Sequence, residues 1–552
     1  MNVHISQQVL QTIAKEVNEE AFTAQTKELG RYASAKDNVK VDLASLSERQ
    51  MEVFKKCVEA LPDAEKSKEN ALRTLRSWEA VSKDPKGAKC GSLQHLTTFL
   101  RKRLEQCPNH WLFHETQDGF MTPYFVLEIA YEPPDARYRQ EAQVRVSLKA
   151  FNKFIPCQAN LFFRQRDLSG RKTADELFAS KGYFCETEKL AAAYDKQVAA
   201  YKSIKDKTGE QHLGRGKAIS LGDHYREEIV PLEHEGEPAR CVIDDIEIED
   251  NQLRNKDLEA TVSSSYWTGK EEESEVLLPV LPYVKVFGLI QHSHAMVHVD
   301  NLTPYPYNPD LDQKLVLPEE NKDIISTLVH DAGSNYEDII AGKAGGIIVL
   351  STGEPGVGKT LTAEVYSEVI GRALYVIQCS QLGTDEEKLE KNLRLVLKRA
   401  TRWKAVLLID ECDVYVRARG EDLQQNAIVG IFLRVLEYYK GVLFLTSNRG
   451  MIVDDAILSR VTAHVKYEYP TQDELLQIWN ILCDINKIQL SQGEKKQLVQ
   501  TFPNATGRNV KMLLKLFQRM KHRRPQEDNL KLFQRAAKFV DMPERNPMAA
   551  AA

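Results

Sequence analysis

Residues 353–360 read GEPGVGKT, which meets the spacing G-x-x-x-x-G-K-[ST]. Such a turn points its backbone N–H groups inward, and the helix after it adds its positive end, so a polyphosphate is held by many donors at once. Lys359 is the cation that reaches the outer phosphates, and the Thr360 hydroxyl is a ligand for Mg²⁺. Gly353, Glu354, Pro355, Gly356, Val357, Gly358, Lys359, Thr360 and Leu361 are the expected nucleotide-binding residues. Further on, AVLLIDECD carries Asp410 and Glu411 to the end of an apolar run, the side on which open α/β sheets bind ligands. Asp410 would hold Mg²⁺ through water, and Glu411 would be the general base on an attacking water. GVLFLTSN ends another apolar run with Asn448, whose neutral amide can hold that water without repelling phosphate. Asparagine also ends many strands as a turn former, so its weight comes from the other two motifs. No NKxD stretch is present to read guanine, so ATP is the expected nucleotide.

These residues need a sheet to position them. GIIVLST, ALYVIQC, AVLLID, GVLFLTS and AHVKYEY are short and mostly apolar, and helical stretches separate them, as in a parallel sheet covered on both faces. After Pro470 the strands stop, and four helical stretches near 471–485, 491–501, 506–523 and 526–540 form a small subdomain. Upstream, aromatic and β-branched runs (WLFHET, YFVLEIAYE, VRVSLKAF, ANLFFRQ) and later RCVIDDIEIED and VKVFGLIQHSHAMVHVD read as strands, with a helical insert between them. The fold class is therefore α/β, a P-loop αβα core with a helical lid, preceded by a separate α+β domain with a sheet of its own. The expected divisions are 1–300 for that domain, 301–312 for a Pro- and Tyr-rich linker, 313–469 for the core, 470–543 for the lid and 544–552 for a disordered tail.

The stretch from about Lys314 to Val540 resembles the AAA+ ATPases. That resemblance implies a five-stranded core, a helical lid and ATP sites between subunits of a ring, often a hexamer. Gly353–Thr360 resembles Walker A, Asp410–Glu411 Walker B and Asn448 sensor 1. DDAILSRVTAHV is similar to the segment that carries the arginine finger, which gives Arg460 that role. ATGRNVK is similar to sensor 2, with Arg508 facing the γ-phosphate of its own subunit. KLVLPEENK, QCSQLGT and DLQQNAIVGIFLRVLEYYKGVLFLTSN resemble a poorly characterised bacterial and fungal branch of the family. Two departures stand out. Gln381–Leu382 occupy the place of the pore-loop aromatic, which argues against axial threading. The finger segment has one arginine where many members have two, leaving Arg449, Arg417 and Arg419 as competitors.

The chain has 552 residues, 42% hydrophobic and 28% charged, with a net charge of −5, which argues against wholesale binding to nucleic acid or anionic membrane. Nine cysteines without a C-x-x-C pair read as reduced thiols in a cytoplasmic protein. The N-terminus lacks the apolar run of a signal peptide, and no stretch approaches the roughly 20 apolar residues of a membrane span. His292, His294 and His298 are expected along one wet sheet face rather than around a metal. RMKHRRP (519–525) is expected to be the solvated end of a lid helix. The expected activity is Mg²⁺-dependent ATP hydrolysis in a homo-oligomeric ring, spent on remodelling a protein client that the N-terminal domain holds. A nucleic-acid loader and a slow nucleotide-gated assembly switch are the alternatives.

Overall fold

The computed structural model describes residues 2–6, 38–43, 48–59, 66–135, 137, 140–151, 157–221, 227–233, 236–244, 261–264, 266–267, 274–330, 346–383, 385–419, 423–448 and 453–541. The 544–552 tail and Arg449 lie outside them.

The N-terminal part holds two large antiparallel sheets rather than one. The first runs in the order 158–164, 143–149, 121–132, 111–115, 183–185. The helix Leu93–Leu104 covers one face, because Leu93, Leu96, Leu100 and Leu104 recur at helical spacing and are all buried. The second sheet has seven strands in the order 227–231, 217–221, 294–298, 283–288, 239–243, 211–214, 302–304. Its last strand lies within the stretch expected as a linker. Leu302–Pro304 pairs antiparallel with Gln211–Gly214. Just after it, the Tyr305 hydroxyl donates to Glu368 at 2.6 Å and the Tyr307 hydroxyl to Gln211 at 3.2 Å.

The sheet that carries the glycine-rich loop is parallel throughout, in the order 374–378, 406–410, 442–447, 347–353, 463–467. Alternate residues feed two apolar clusters. Leu407, Ile409, Leu443 and Leu445 face the helices Glu386–Trp403 and Leu423–Leu436, while Val406, Leu408, Val442 and Phe444 face Glu319–His330 and Lys359–Val369. Four helices follow, Gln472–Ile485, Gln492–Thr501, Gly507–Arg523 and Asn529–Ala537. Capping boxes start the first three of them, at Thr471–Glu474, Ser491–Glu494 and Thr506–Asn509. Phe517 and Phe533 stack at 4.1 Å in their shared core.

The seven-stranded sheet is packed against the parallel-sheet core. Val242, Phe287 and Leu289 join the same apolar cluster as Tyr375 and Trp403, and the Phe287 and Trp403 rings lie 4.9 Å apart. The Arg399 guanidinium sits over Phe287 at 4.8 Å. Asp244, fully buried, lies 2.8 Å from His294 Nε2 and forms an ion pair with Arg402.

This packing corrects the expectation of a wet histidine row. His292 is in a turn at φ 53°, His294 meets Asp244, and His298 is buried with its ring stacked 3.6 Å from Phe120. Burial pushes His298 down to about 4, despite the opposing pull of Asp300 and Asp118. Among the described residues no three His, Cys, Asp or Glu gather as a metal set. No described helix is long and apolar enough to cross a membrane.

Candidate active site

The strand Ile347–Gly353 ends where its backbone meets the neighbouring strand, and a Cβ on Gly353 would lie 2.3 Å from the Tyr467 carbonyl oxygen. Only glycine fits there. Gly356, at φ 86°, is crowded from the lid: a Cβ would lie 2.9 Å from Thr506 Oγ1 and 3.0 Å from Arg508 Cβ. Pro355 and Val357 lie in the same turn, and Gly358, at φ 109°, caps the helix that begins at Lys359. Lys359 is buried, and its ammonium donates to the Gly353 and Glu354 carbonyls at 2.8 Å each. Burial holds its pKa below the usual lysine range, against the pull of Asp410, Asp413 and Glu354. Leu361, in the first turn of the helix, is 49% exposed.

The Thr360 hydroxyl donates to Asp410 Oδ1 at 3.0 Å, so the loop and the end of the strand Val406–Asp410 converge. The same carboxylate oxygen accepts from the Thr446 hydroxyl. Glu411 follows in a left-handed conformation, φ 54°, with its N–H donating to Thr446 Oγ1 at 3.0 Å and its carbonyl accepting from the Cys379 thiol at 3.2 Å. This non-glycine left-handed residue stores backbone strain beside the ligand site. Two residues on, Asp413 Oδ1 accepts from Ser447 Oγ at 2.5 Å and from the Asn448 N–H at 2.9 Å. The turn after Asp410 and the end of the strand carrying Asn448 are thus tied by hydrogen bonds running in both directions.

Thr446 and Asp413 were missed in the sequence. Thr446 reads as an ordinary strand residue, and Asp413 as one more acid after the pair. The available signal was register: Ile409 pairs with Leu445, so Asp410 and Thr446 end neighbouring strands.

The arginines divide. Arg508, exposed in the first turn of the lid helix, is brought to the phosphate loop and lowers the proton affinity of Lys359. Arg460 is exposed, with Nη1 donating to the Ala456 carbonyl at 3.1 Å and Glu437 4.0 Å away. Arg419 is held by Asp454 through Nε at 2.9 Å and Nη2 at 3.3 Å. Arg417 forms a β-bridge with Val453. Leu382 is 1% exposed and packs in the core beside Leu389 and Tyr415, and the Gln381 side chain caps the Gln378 N–H at 2.9 Å.

Residues 349–469 match the model of the ATPase family associated with various cellular activities (AAA). This chain carries an AAA+ ATPase domain. Over 243 residues it is 24% identical to the uncharacterized AAA family ATPase y4kL of Sinorhizobium fredii, covering 42% of this chain and 70% of that relative. Over 216 residues it is 26% identical to the CfxQ homolog of Pyropia yezoensis, covering 35% of this chain and 69% of that protein. In the solved structure of the E. coli MS115-1 HORMA:CdnC:Trip13 complex, one chain aligns over 43% of this chain and 94% of its own length, at 17% identity and a TM-score of 0.36. The AAA+ domain thus accounts for the parallel sheet, and the two antiparallel sheets lie outside the matched residues.

Proposed function

We propose that this chain hydrolyses ATP with Mg²⁺ in a cytoplasmic homo-oligomeric ring, a hexamer by preference, and spends the turnover on remodelling a protein or protein complex. The observation that carries the reading is the 3.0 Å contact of Thr360 with Asp410, beside Glu411 and the anchored Asn448. A hydroxyl and a carboxylate converging at a phosphate loop fit Mg²⁺, which when bound would neutralise charge across the outer phosphates. Thr360 and Asp410 would hold it. Lys359 would exchange the Gly353 and Glu354 carbonyls for the β- and γ-phosphates, a trade its buried position favours because an anion there meets little competing water. Glu411 would take the proton of the attacking water, and Asn448 would orient that water. Arg508 would follow the γ-phosphate from the lid, and Arg460 of a neighbouring subunit would meet the charge that grows on it. The seven-stranded sheet, packed on the core through Phe287 and Asp244, would carry lid and core motion to a client on the N-terminal part.

Glu411→Gln tests this. ATP binding should persist while turnover falls by at least about a hundredfold, and partner complexes should accumulate with ATP. Unchanged turnover would place the base elsewhere.

A further inference from the structure

The far end of the lid helix Gly507–Arg523 borders a groove of about 960 Å³. Its floor is aliphatic, from Ile488, Leu516 and Met520, which are only partly buried against the lid core. Its rim is cationic, from Lys487, Arg519 and Arg523, with His522 beside them. Among the described residues no Asp or Glu lines it. The nearby Glu527 is already engaged by Arg535 at 2.9 Å and Arg524 at 3.4 Å. The apolar floor continues outward. Met512, one turn before Leu516 on the same helix face, is 42% exposed, and Ile485, two residues before Lys487, is 55% exposed.

We infer that this groove docks an acidic amphipathic segment of a partner protein, with aliphatic side chains on Leu516 and Met520 and carboxylates on the arginine rim. Two features favour a protein over a nucleic acid. A strand of bases would use exposed rings to stack on, yet Phe517, the aromatic of this wall, is 4% exposed. The floor instead offers the aliphatic side chains of Leu516 and Met520, a surface on which the apolar face of an amphipathic helix packs. Charge then sets orientation and partner choice, since a basic rim attracts acids and repels basic segments. The groove-lining helix is also the one whose first turn approaches Gly356, with Leu516 and Met520 about 12 to 18 Å further along it given the usual rise per residue. A bound partner would therefore sit on the element that contacts the nucleotide loop.

The test uses the full chain without nucleotide, so its outcome does not depend on the proposed ATPase activity. The probe is a fluorescein-labelled helical peptide with leucines at i, i+4 spacing and glutamates elsewhere. Controls are its glutamine-for-glutamate twin and a labelled single-stranded oligonucleotide. The acidic peptide should bind by anisotropy. The double variant Arg519→Glu, Arg523→Glu should weaken it by about tenfold or more, and Met520→Gln should weaken it with every charge kept. Circular dichroism would confirm the fold of both variants. No binding of the acidic peptide, equal binding of the twin, or an undiminished affinity in the charge-reversed chain overturns the proposal. Oligonucleotide binding that is lost in the same variant, with no peptide bound, assigns the groove to nucleic acid and equally overturns it.

Discussion

The Thr446 hydroxyl donates to Asp410 Oδ1 while its oxygen accepts the Glu411 N–H at 3.0 Å. One buried side chain thus fixes both the carboxylate assigned to Mg²⁺ and the backbone of the assigned base. Thr446→Val keeps the shape and removes both bonds. Its kcat should fall by about ten- to a hundredfold, the range for loss of a group that orients a metal ligand, with a much smaller change in KM for ATP. Thr446→Ser restores the hydroxyl and should recover most of the rate. A valine variant as fast as wild type would show that Asp410 and Glu411 hold their places without it.

Asp413 grips the other strand end through Ser447 and Asn448. Asp413→Ala should release Asn448 and lower kcat. Asp413→Asn keeps an oxygen acceptor but loses the charge that raises the proton affinity of Lys359. If positioning is what matters, the asparagine variant should turn over faster than the alanine variant. Equal loss in both would make the charge the important property.

The parallel core was legible because its central strands are buried on both faces and so read as unbroken apolar runs. The phosphate loop was legible because its chemistry is local, held within eight residues. The N-terminal sheets were harder. Their strands find partners in distant segments, as where Gln211–Gly214 lies between Ala239–Ile243 and Leu302–Pro304. Pro304 made the last of these look like a linker. The strand forms because it is at the sheet edge, where a missing N–H costs no ladder bond. Leu382 was legible only as a position in the motif order, because its burial depends on Tyr415, whose hydroxyl donates to the Cys379 and Gly383 carbonyls at 3.0 and 2.9 Å. Contacts across such separations leave no periodic trace.

Asp244 is buried on the seven-stranded sheet, and its partner Arg402 lies on a helix of the AAA+ core. Arg402→Ala would leave the carboxylate with His294 alone, at a cost of about 3 kcal/mol or more for an uncompensated buried charge. Thermal unfolding should begin at a lower temperature. Adding Asp244→Asn removes the stranded charge and should restore part of the loss. If Arg402→Ala melts like wild type, the ion pair does not hold the sheet to the core.

Arg460 lies just after the short helix Asp455–Leu458 and before the edge strand Ala463–Tyr467. Its side chain is 36% exposed and held by one bond to the Ala456 carbonyl at 3.1 Å and a long contact with Glu437 at 4.0 Å, so it can reach outward at modest cost. Arg419 is held by two bonds to Asp454 and would have to break them to do the same. Arg460→Ala should therefore bind ATP nearly as well as wild type and hydrolyse it about a thousandfold more slowly or worse, as when a finger is lost in related systems. Lys359→Ala should instead lose ATP affinity. If the finger works between subunits, mixing the two variants pairs an intact phosphate loop with an intact finger at some interfaces. Partial activity on mixing, absent from either variant alone, is the expected result. Co-assembly without recovery would mean that Arg460 acts in its own subunit or that turnover needs several complete sites. An Arg460→Ala chain with wild-type turnover would move the finger to another residue, and Arg449, two residues after Ser447, would be substituted next.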